Sequence, residues 1–189
     1  MTPAPATRAP GWRSPSARAP SSTAIGTGAV CYAGPAMSSL APPDPDFEAR
    51  VRASFERQRV MTTIGARLGK VAPGAVEIEL PFRDDLTQQH GFVHAGIVTT
   101  IADSACGYAA LSLMAPAAAV LTVEYKVNLL APARGERLVA RARVLRPGRA
   151  LTVCEADVVA LNGGAEKPVA RMLATMMALL DRPDLAPGT

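Results

Sequence analysis

Residues 91–104 read Gly-Phe-Val-His-Ala-Gly-Ile-Val-Thr-Thr-Ile-Ala-Asp-Ser, and the predicted architecture is built around them. A polar, glycine-bearing loop from Asp84 to Gly96 leads into a run that is small and apolar on nearly every side as far as Leu113. Such a run predicts one long helix that is surrounded by protein, because a surface helix would keep one polar face.

Strand-like runs lie on both sides of this helix. Apolar patterns predict strands over residues 64–68, 75–80, 121–129, 137–145, 151–161 and 169–180. Upstream of them, Asp46 can cap a first helix with apolar positions at Phe47, Val51, Phe55 and Val60. Short turns such as 146–149 join the later strands, which indicates an antiparallel sheet. The predicted fold class is α+β, with the central helix packed on the sheet.

The two ends of the chain differ from its centre in composition. The first 45 residues hold nine of the seventeen prolines and no apolar period, so they bury too little surface to offset the entropy of ordering them. We therefore predict a disordered extension over residues 1–43, a folded domain over 44–181 and a flexible tail over 182–189. A targeting peptide, or a translation start at Met37, are the alternatives for the extension.

Charge, hydropathy and cysteine use limit the kinds of partner. Residues 1–43 hold three arginines and no acid, and subtracting these three from the 20 basic residues leaves 17 against 16 acidic ones. A near-neutral body with 4% aromatic residues predicts no nucleic-acid partner. No apolar run reaches the roughly 18 residues that span a bilayer. Three widely spaced cysteines predict a reduced, cytoplasmic protein without a metal site.

Asp103 is the sharpest anomaly in the sequence. It lies in mid-helix between Ala102 and Ser104, with Ile101 and Ala105 close by. Burying a carboxylate without partners costs several kcal/mol. Asp103 therefore either braces a neighbouring loop through hydrogen bonds or serves as a catalytic base or nucleophile.

The entrance of the same helix offers a complementary group. The backbone N–H groups near Ala95 and Gly96 have no intrahelical partner and lie at the positive end of the helix dipole, where an oxyanion would be stabilised. Small residues here let a substrate approach the backbone. Both histidines of the chain, His90 and His94, lie in this stretch. They are either site residues or ordinary packed or surface residues.

The segment Gly91–Gly96, with Asp103 seven residues further on, resembles the motif G-x-x-H-G-G followed by an acidic residue on the central helix. This is the pattern of the hotdog-fold acyl-CoA thioesterases of the PaaI-like, phenylacetate-pathway type. Leu129-Leu130-Ala131-Pro132-Ala133 and the Gly148-Arg149 hairpin extend the resemblance over roughly residues 60–180.

This resemblance implies an antiparallel sheet wrapped around one long central helix, and hydrolysis of an acyl-CoA to free acid and thiol. It implies that no cofactor is needed, since coenzyme A is part of the substrate. It also implies a homodimer or a dimer of dimers. The implied catalytic residues are Asp103 (base or nucleophile), Gln88 (holding the carbonyl), Ala95 (backbone N–H to the carbonyl), Thr122 (orienting water) and His94 (organising the loop). Gly91 and Gly96 would lie against the substrate.

Other assignments stay open at this point. Arg149 either meets the coenzyme A phosphates or lies in a solvated turn, and Tyr108 either lines an acyl pocket or packs in the core. Ala95 replaces a family glycine, which is tolerable if its φ is negative. A hotdog dehydratase or hydratase, pairing His90 with Asp103, and a non-catalytic acyl-CoA-binding module are the alternative functions.

The spacing of the two candidate groups predicts a shared site. Ala95 and Asp103 are eight residues apart, or roughly 12 Å along one helix. Both must reach the same carbonyl within about 3 Å. Two antiparallel copies can achieve this across a two-fold axis, whereas one helix cannot easily do so.

Overall fold

The structure, a computed structural model, describes residues 40–180; the predictions for residues 1–39 and 181–189 lie outside this range. The elements are α1 (Phe47–Arg57), α2 (Arg59–Ile64), β1 (Arg67–Ala72), β2 (Ala75–Pro81), a 3₁₀ turn (Asp84–Leu86), α3 (Ala95–Leu111), β3 (Ala119–Leu129), β4 (Arg137–Arg146), β5 (Leu151–Asn162) and β6 (Ala165–Leu179). None of the helices in this range combines the length and the hydropathy needed to cross a bilayer.

Six strands form one antiparallel sheet in the order β1-β2-β4-β5-β6-β3. The central helix α3 packs on it and contacts β2, β3, β4, β5 and β6. Side chains on several sides of α3 are fully buried, among them Ile101, Ala102, Cys106 and Ala109. The predicted α+β fold, with one long helix enclosed by the sheet, is confirmed.

Apolar and charged residues alternate along the strands, and this pattern determines which face of the sheet packs against α3. On β2, Val76, Ile78 and Leu80 are buried, whereas the intervening Glu77 and Glu79 lie on the outer face. That outer face carries ion pairs, such as Arg141 with Glu166 at 2.6 Å. Exposed pairs of this kind contribute at most about 1 kcal/mol each, so the apolar face next to α3 provides most of the stability.

Two predicted strand boundaries are wrong. The strand expected over residues 64–68 begins only at Arg67, because Ile64 ends α2 and Gly65 adopts a left-handed φ of 76° that terminates a helix. The last strand begins at Ala165 rather than at 169, because Gly163 and Gly164, both with positive φ, make the turn alone. A shift in register opposite Pro168 accommodates the missing N–H of that residue.

Asp46 is the N-cap residue of the first helix, as predicted, but its side chain does not form the cap. Instead Oδ1 of the nearly buried Asp44 accepts the backbone N–H of Asp46 at 2.9 Å. Val60 belongs to α2 and is 43% exposed, so it is not part of the buried face of α1.

Arg50 ties α1 to the far end of the central helix. Its guanidinium donates to the carbonyl oxygens of Leu111 (3.1 Å), Met114 (2.8 Å) and Ala115 (3.1 Å), and lies 2.8 Å from Asp44. A cation at a helix C-terminus satisfies carbonyls that have no intrahelical donor and complements the negative end of the dipole. The start of the domain is therefore held at the C-terminal end of α3.

We expect Arg50→Met to lower the free energy of unfolding by about 2–4 kcal/mol, because it removes the side-chain donor to the Met114 carbonyl, the second donor to those of Leu111 and Ala115, and the cation beside the nearly buried carboxylate of Asp44. Urea denaturation measures this change. Arg52→Met is the matched control, since within residues 40–180 Arg52 pairs with the exposed Glu48 on the same helix and with no other acid, and it should change stability by less than about 0.5 kcal/mol. Equal effects of the two variants would contradict the role given to Arg50.

The two edges of the sheet differ. The edge strand β1 has six residues and an irregular register between Leu68 and Val71. The opposite edge strand, β3, has eleven residues. Its apolar side chains Leu121, Val123, Tyr125 and Leu129 are each about half exposed. Long apolar edges of this kind are a template for pairing with another chain.

Candidate active site at the central helix

The loop before α3 is fixed at both of its sides. Thr87 and Val93 form an isolated antiparallel bridge. The N–H of Val93 donates to the carbonyl oxygen of Ala133 at 2.9 Å, and the N–H of His94 donates to the carbonyl oxygen of Leu86 at 2.9 Å. Gly91, at the tip, has a φ of 76°, a conformation that favours glycine. The loop therefore delivers the start of α3 in a defined orientation.

His94 is the N-cap of α3. Its Nδ1 accepts the N–H of Gly96 at 2.9 Å. A Cβ at position 96 would lie 3.0 Å from this nitrogen, so a larger residue there would fit only if the ring of His94 shifted. The imidazole thus organises the helix entrance with its own ring nitrogen.

This cap decides which N–H groups are available at the entrance. The N–H of Gly96 is used by His94, and those of Ile97 and Val98 donate to the carbonyl oxygen of His94. The N–H of Ala95 has no acceptor within residues 40–180. Ala95 is the first residue of α3, and helical residues have negative φ, so alanine is unstrained here.

Asp103 lies on α3, half-buried, and faces the edge strand β3. Thr122 Oγ1 donates to Asp103 Oδ1 at 2.8 Å. Burial raises the pKa of Asp103, and the hydrogen bond from Thr122 acts in the opposite direction. A carboxylate with a raised pKa holds a proton more readily, which suits a general base.

Two clefts share Asp103. The smaller cleft, of about 280 Å³, is lined by Ser54, Arg57, Gln58, Asp103, Ser104, Gly107, Tyr108, Val120 and Thr122. The larger cleft, of about 380 Å³, is lined by Gln58, Val60, Gly96, Thr99, Thr100, Asp103, Ser104, Tyr125 and Val127. The larger cleft thus runs from the helix entrance to the carboxylate, and the smaller one continues beyond it.

The structure brings together some of the predicted site residues but not all. Asp103, Thr122 and Gly96 line the two clefts. The remaining predicted site residues do not line them within one chain: Gln88, Gly91, His94, Ala95 and Arg149. The side chain of Gln88 instead accepts the N–H of His90 through Oε1, and Arg149 is exposed in the β4–β5 turn.

His90 is exposed, and its ring lies 3.4 Å from the side-chain nitrogen of Gln89. It does not line either cleft that contains Asp103, so the pairing expected of a dehydratase is not formed within one chain. Cys154 and Cys106 are buried thiols. Burial raises the pKa of Cys154 to about 12 and that of Cys106 as well, which makes both poor nucleophiles.

Gln58 is a site residue that the sequence does not reveal. It is the C-cap of α1 and the N-cap of α2, and it lines both clefts. Tyr108, for which the sequence left two roles open, lines the smaller cleft although it is only 6% exposed. In the sequence, Gln58 is recognisable only as a polar residue between two helical runs. Many surface loops contain such a residue, so this feature does not indicate a site.

Comparisons with known proteins agree with this geometry. The family model of the thioesterase superfamily matches residues 90–167. A relative named "Putative esterase" from Halobacterium salinarum is 34% identical over 119 residues, which are 60% of this chain and 78% of the relative. A second relative of the same name, from Saccharolobus solfataricus, is 28% identical over 111 residues, or 59% and 72% of the two chains.

Solved structures show the same fold. A thioesterase family protein from Silicibacter pomeroyi is 57% identical, with a TM-score of 0.70 over 71% of this chain and 98% of that one. The PaaI protein of the phenylacetic acid degradation operon of Escherichia coli is 20% identical, with a TM-score of 0.64 over 71% and 94%. At 20% identity the second likeness concerns the fold alone.

Proposed function

The chain belongs to the thioesterase superfamily, with a hotdog fold, and from this membership we propose that it hydrolyses acyl-CoA thioesters with Asp103 as the catalytic carboxylate. The family and the relatives support thioester hydrolysis as the reaction; coenzyme A as the thiol part is our proposal. The observation that carries it is the half-buried Asp103, hydrogen-bonded to Thr122 at 2.8 Å where two clefts meet.

In this mechanism the Asp103 carboxylate takes a proton from a water molecule, whose oxygen attacks the thioester carbonyl carbon. The carbon–sulfur bond then breaks, the thiolate of coenzyme A leaves and takes the proton held by Asp103, and the acyl part remains as the free acid. Attack by Asp103 itself, with later hydrolysis of the anhydride, uses the same groups. Thr122 holds Oδ1 in place, and we assign the contact with the water molecule or the carbonyl carbon to Oδ2.

The N–H of Ala95 is the proposed donor to the carbonyl oxygen. It has no acceptor among residues 40–180 and lies at the positive end of the α3 dipole. Negative charge that develops on the oxygen during attack is stabilised by such a group. Gln88 is the second proposed donor, through its side-chain Nε2, since its bond with the N–H of His90 uses only Oε1.

The proposed active unit contains two copies of the chain. Ala95 and Asp103 lie eight residues apart on α3, roughly 12 Å along its axis, so one chain does not bring both to one carbonyl. The exposed edge strand β3 borders the larger cleft through Tyr125 and Val127. A second copy paired along β3 would bring its own helix entrance to this cleft. We infer a homodimer, or a dimer of dimers.

The proposal extends to the cofactor, to the binding of the coenzyme A phosphates and to the location of the protein. Coenzyme A enters as part of the substrate, so no separate cofactor is needed. Its phosphates would meet Arg149, which is exposed in the β4–β5 turn. The buried thiols Cys106 and Cys154 support a reducing, cytoplasmic location.

Thiol release from a set of short, long and aromatic acyl-CoAs tests the proposal. We expect turnover of at least one member at a rate about 100-fold or more above that of Asp103→Asn. His90→Ala is the control against a dehydratase and should retain thiol release within about 2-fold, since a group outside the reaction leaves the barrier nearly unchanged. Binding of acyl-CoAs without thiol release would instead indicate a binding module.

A further inference from the structure

The wall of the smaller cleft contains a polar group of three side chains: Gln58, Ser104 and Tyr108. Gln58 Nε2 donates to Ser104 Oγ at 3.2 Å, and the Tyr108 hydroxyl donates to Gln58 Oε1 at 3.3 Å. Ser104 and Tyr108 are each only 6% exposed. The break between α1 and α2 places the amide of Gln58 between two residues of α3. We call these residues the Gln58 group.

A cleft wall of this composition does not suit a plain alkyl chain. Pockets for apolar ligands are lined mainly by hydrophobic side chains with a few polar groups. Here Val120 is the sole aliphatic side chain among the nine lining residues. An alkyl chain lying against the Gln58 group would displace water from amide and hydroxyl groups and give them no partner in return, which weakens binding.

The N–H and O–H hydrogens of this wall that take no part in its internal hydrogen bonds define which ligand it recognises. Gln58 Nε2 keeps a second hydrogen, and the Ser104 hydroxyl hydrogen is not used in its bond with Gln58. The exposed guanidinium of Arg57 lines the same cleft and can only donate. An oxygen acceptor on the ligand would therefore meet donors from two or three sides.

The distance from Asp103 fixes where that oxygen must be. Within the Gln58 group, Ser104 directly follows Asp103 on α3 and Tyr108 lies five residues beyond it, so the amide that bonds both is displaced from Asp103 by about 4–5 Å along the helix axis. An acyl chain covers this distance in about four bonds beyond the thioester carbonyl carbon.

We propose that the smaller cleft binds the acyl group and selects acyl chains that carry an oxygen acceptor about four bonds from the thioester carbonyl, with Gln58 as the specificity-determining residue. This inference rests on the proposed function. It assigns to Gln58 a contact with the substrate, and to Ser104 and Tyr108 the task of orienting the amide. Neutral and anionic oxygen share this chemistry, and Arg57 would add to the binding of an anion.

Isosteric substrate pairs test the inference with the full chain. Hexanoyl-CoA and 4-methoxybutanoyl-CoA differ only in a methylene replaced by an oxygen, and 5-methylhexanoyl-CoA and glutaryl-CoA form the charged pair. We expect kcat/KM to favour the methoxy member of the neutral pair by about 5- to 10-fold, the effect of one added hydrogen bond. Preference for glutaryl alone would assign recognition to Arg57 and overturn the role of Gln58.

Variants separate recognition from folding. Gln58→Leu should lower the methoxy-to-hexanoyl ratio of kcat/KM to about 1, and Tyr108→Phe, which frees the amide, should lower it in the same direction. Glu56→Leu, an exposed position on α1, is the matched control and should keep the wild-type ratio. If Gln58→Leu fails to fold, Tyr108→Phe carries the test.

The outcomes are distinguishable from a failure of the proposed function. Turnover of hexanoyl-CoA as fast as that of its methoxy analogue by the wild-type protein would overturn the selectivity while leaving the thioesterase in place. Variants that slow both members of the pair equally would show that Gln58 is only structural. If no acyl-CoA releases thiol, the proposed function fails, and this inference fails with it.

Discussion

Replacing Asp103 by asparagine is expected to lower kcat/KM for acyl-CoA hydrolysis by about 100-fold or more and to leave the protein folded. Asparagine keeps the shape of the side chain and can still contact Thr122, but it can neither accept a proton from water nor attack a carbonyl. Thiol release measures the loss, and a thermal melt checks the fold. Near-normal turnover by a folded Asp103→Asn protein would leave Asp103 with a bracing role.

The pH dependence of the wild-type protein gives this prediction a second readout. Asp103 must be ionised to act, and burial raises its pKa, so the acid limb of kcat/KM should lie above the ordinary range of carboxylates. The hydrogen bond from Thr122 lowers that pKa. Thr122→Val should therefore move the limb to higher pH, whereas Thr122→Ser, which keeps the hydroxyl, should not. An unmoved limb in Thr122→Val would contradict the coupling of the two residues.

The second large effect is the recovery of activity from two inactive proteins. Gln88→Ala removes one of the two proposed carbonyl donors and Asp103→Ala removes the carboxylate, so each homodimer should be largely inactive. When the two are mixed and refolded together, random pairing makes about half of the dimers mixed, and each mixed dimer holds one intact site of two. About a quarter of the wild-type activity should reappear, because the two groups come from different chains.

The control for this recovery is a mixture of Asp103→Ala with a differently tagged copy of the same variant, which should stay inactive after the same refolding. The tags also report whether mixed dimers form. A mixture of the two different variants that stays inactive, although mixed dimers are present, would exclude a site shared in this way.

The sequence predicts the central helix and most of the sheet, because both depend on local patterns. The apolar run of α3 and the alternation of β2 are visible in neighbouring residues, and they persist in the folded chain. The predicted boundaries are wrong where a single backbone angle determines the end of a helix or the start of a strand. The left-handed Gly65 ends α2 and delays β1, and no apolar period indicates such a change.

The candidate site is less visible in the sequence than the fold. Thr122 and Asp103 are 19 residues apart, and their 2.8 Å hydrogen bond exists only because β3 lies at the edge of the sheet beside α3. Thr122 is predicted as a site residue from the family resemblance. The spacing of residues along the chain does not indicate it. Gln58 contacts Tyr108, 50 residues away, from a break between two helices. Contacts between distant segments of this kind depend on packing rather than on local propensity.

The difference between the two sheet edges bears on how far assembly can proceed. Pairing of two copies along β3 would be isologous, since each edge meets the same edge of its partner, and it would leave only the β1 strands at the outer ends. These strands are short, have a register irregularity and carry Arg67 and Lys70, features that discourage further strand addition. Growth of the sheet would then stop at two copies, so that the long apolar edge yields a closed particle instead of a fibre.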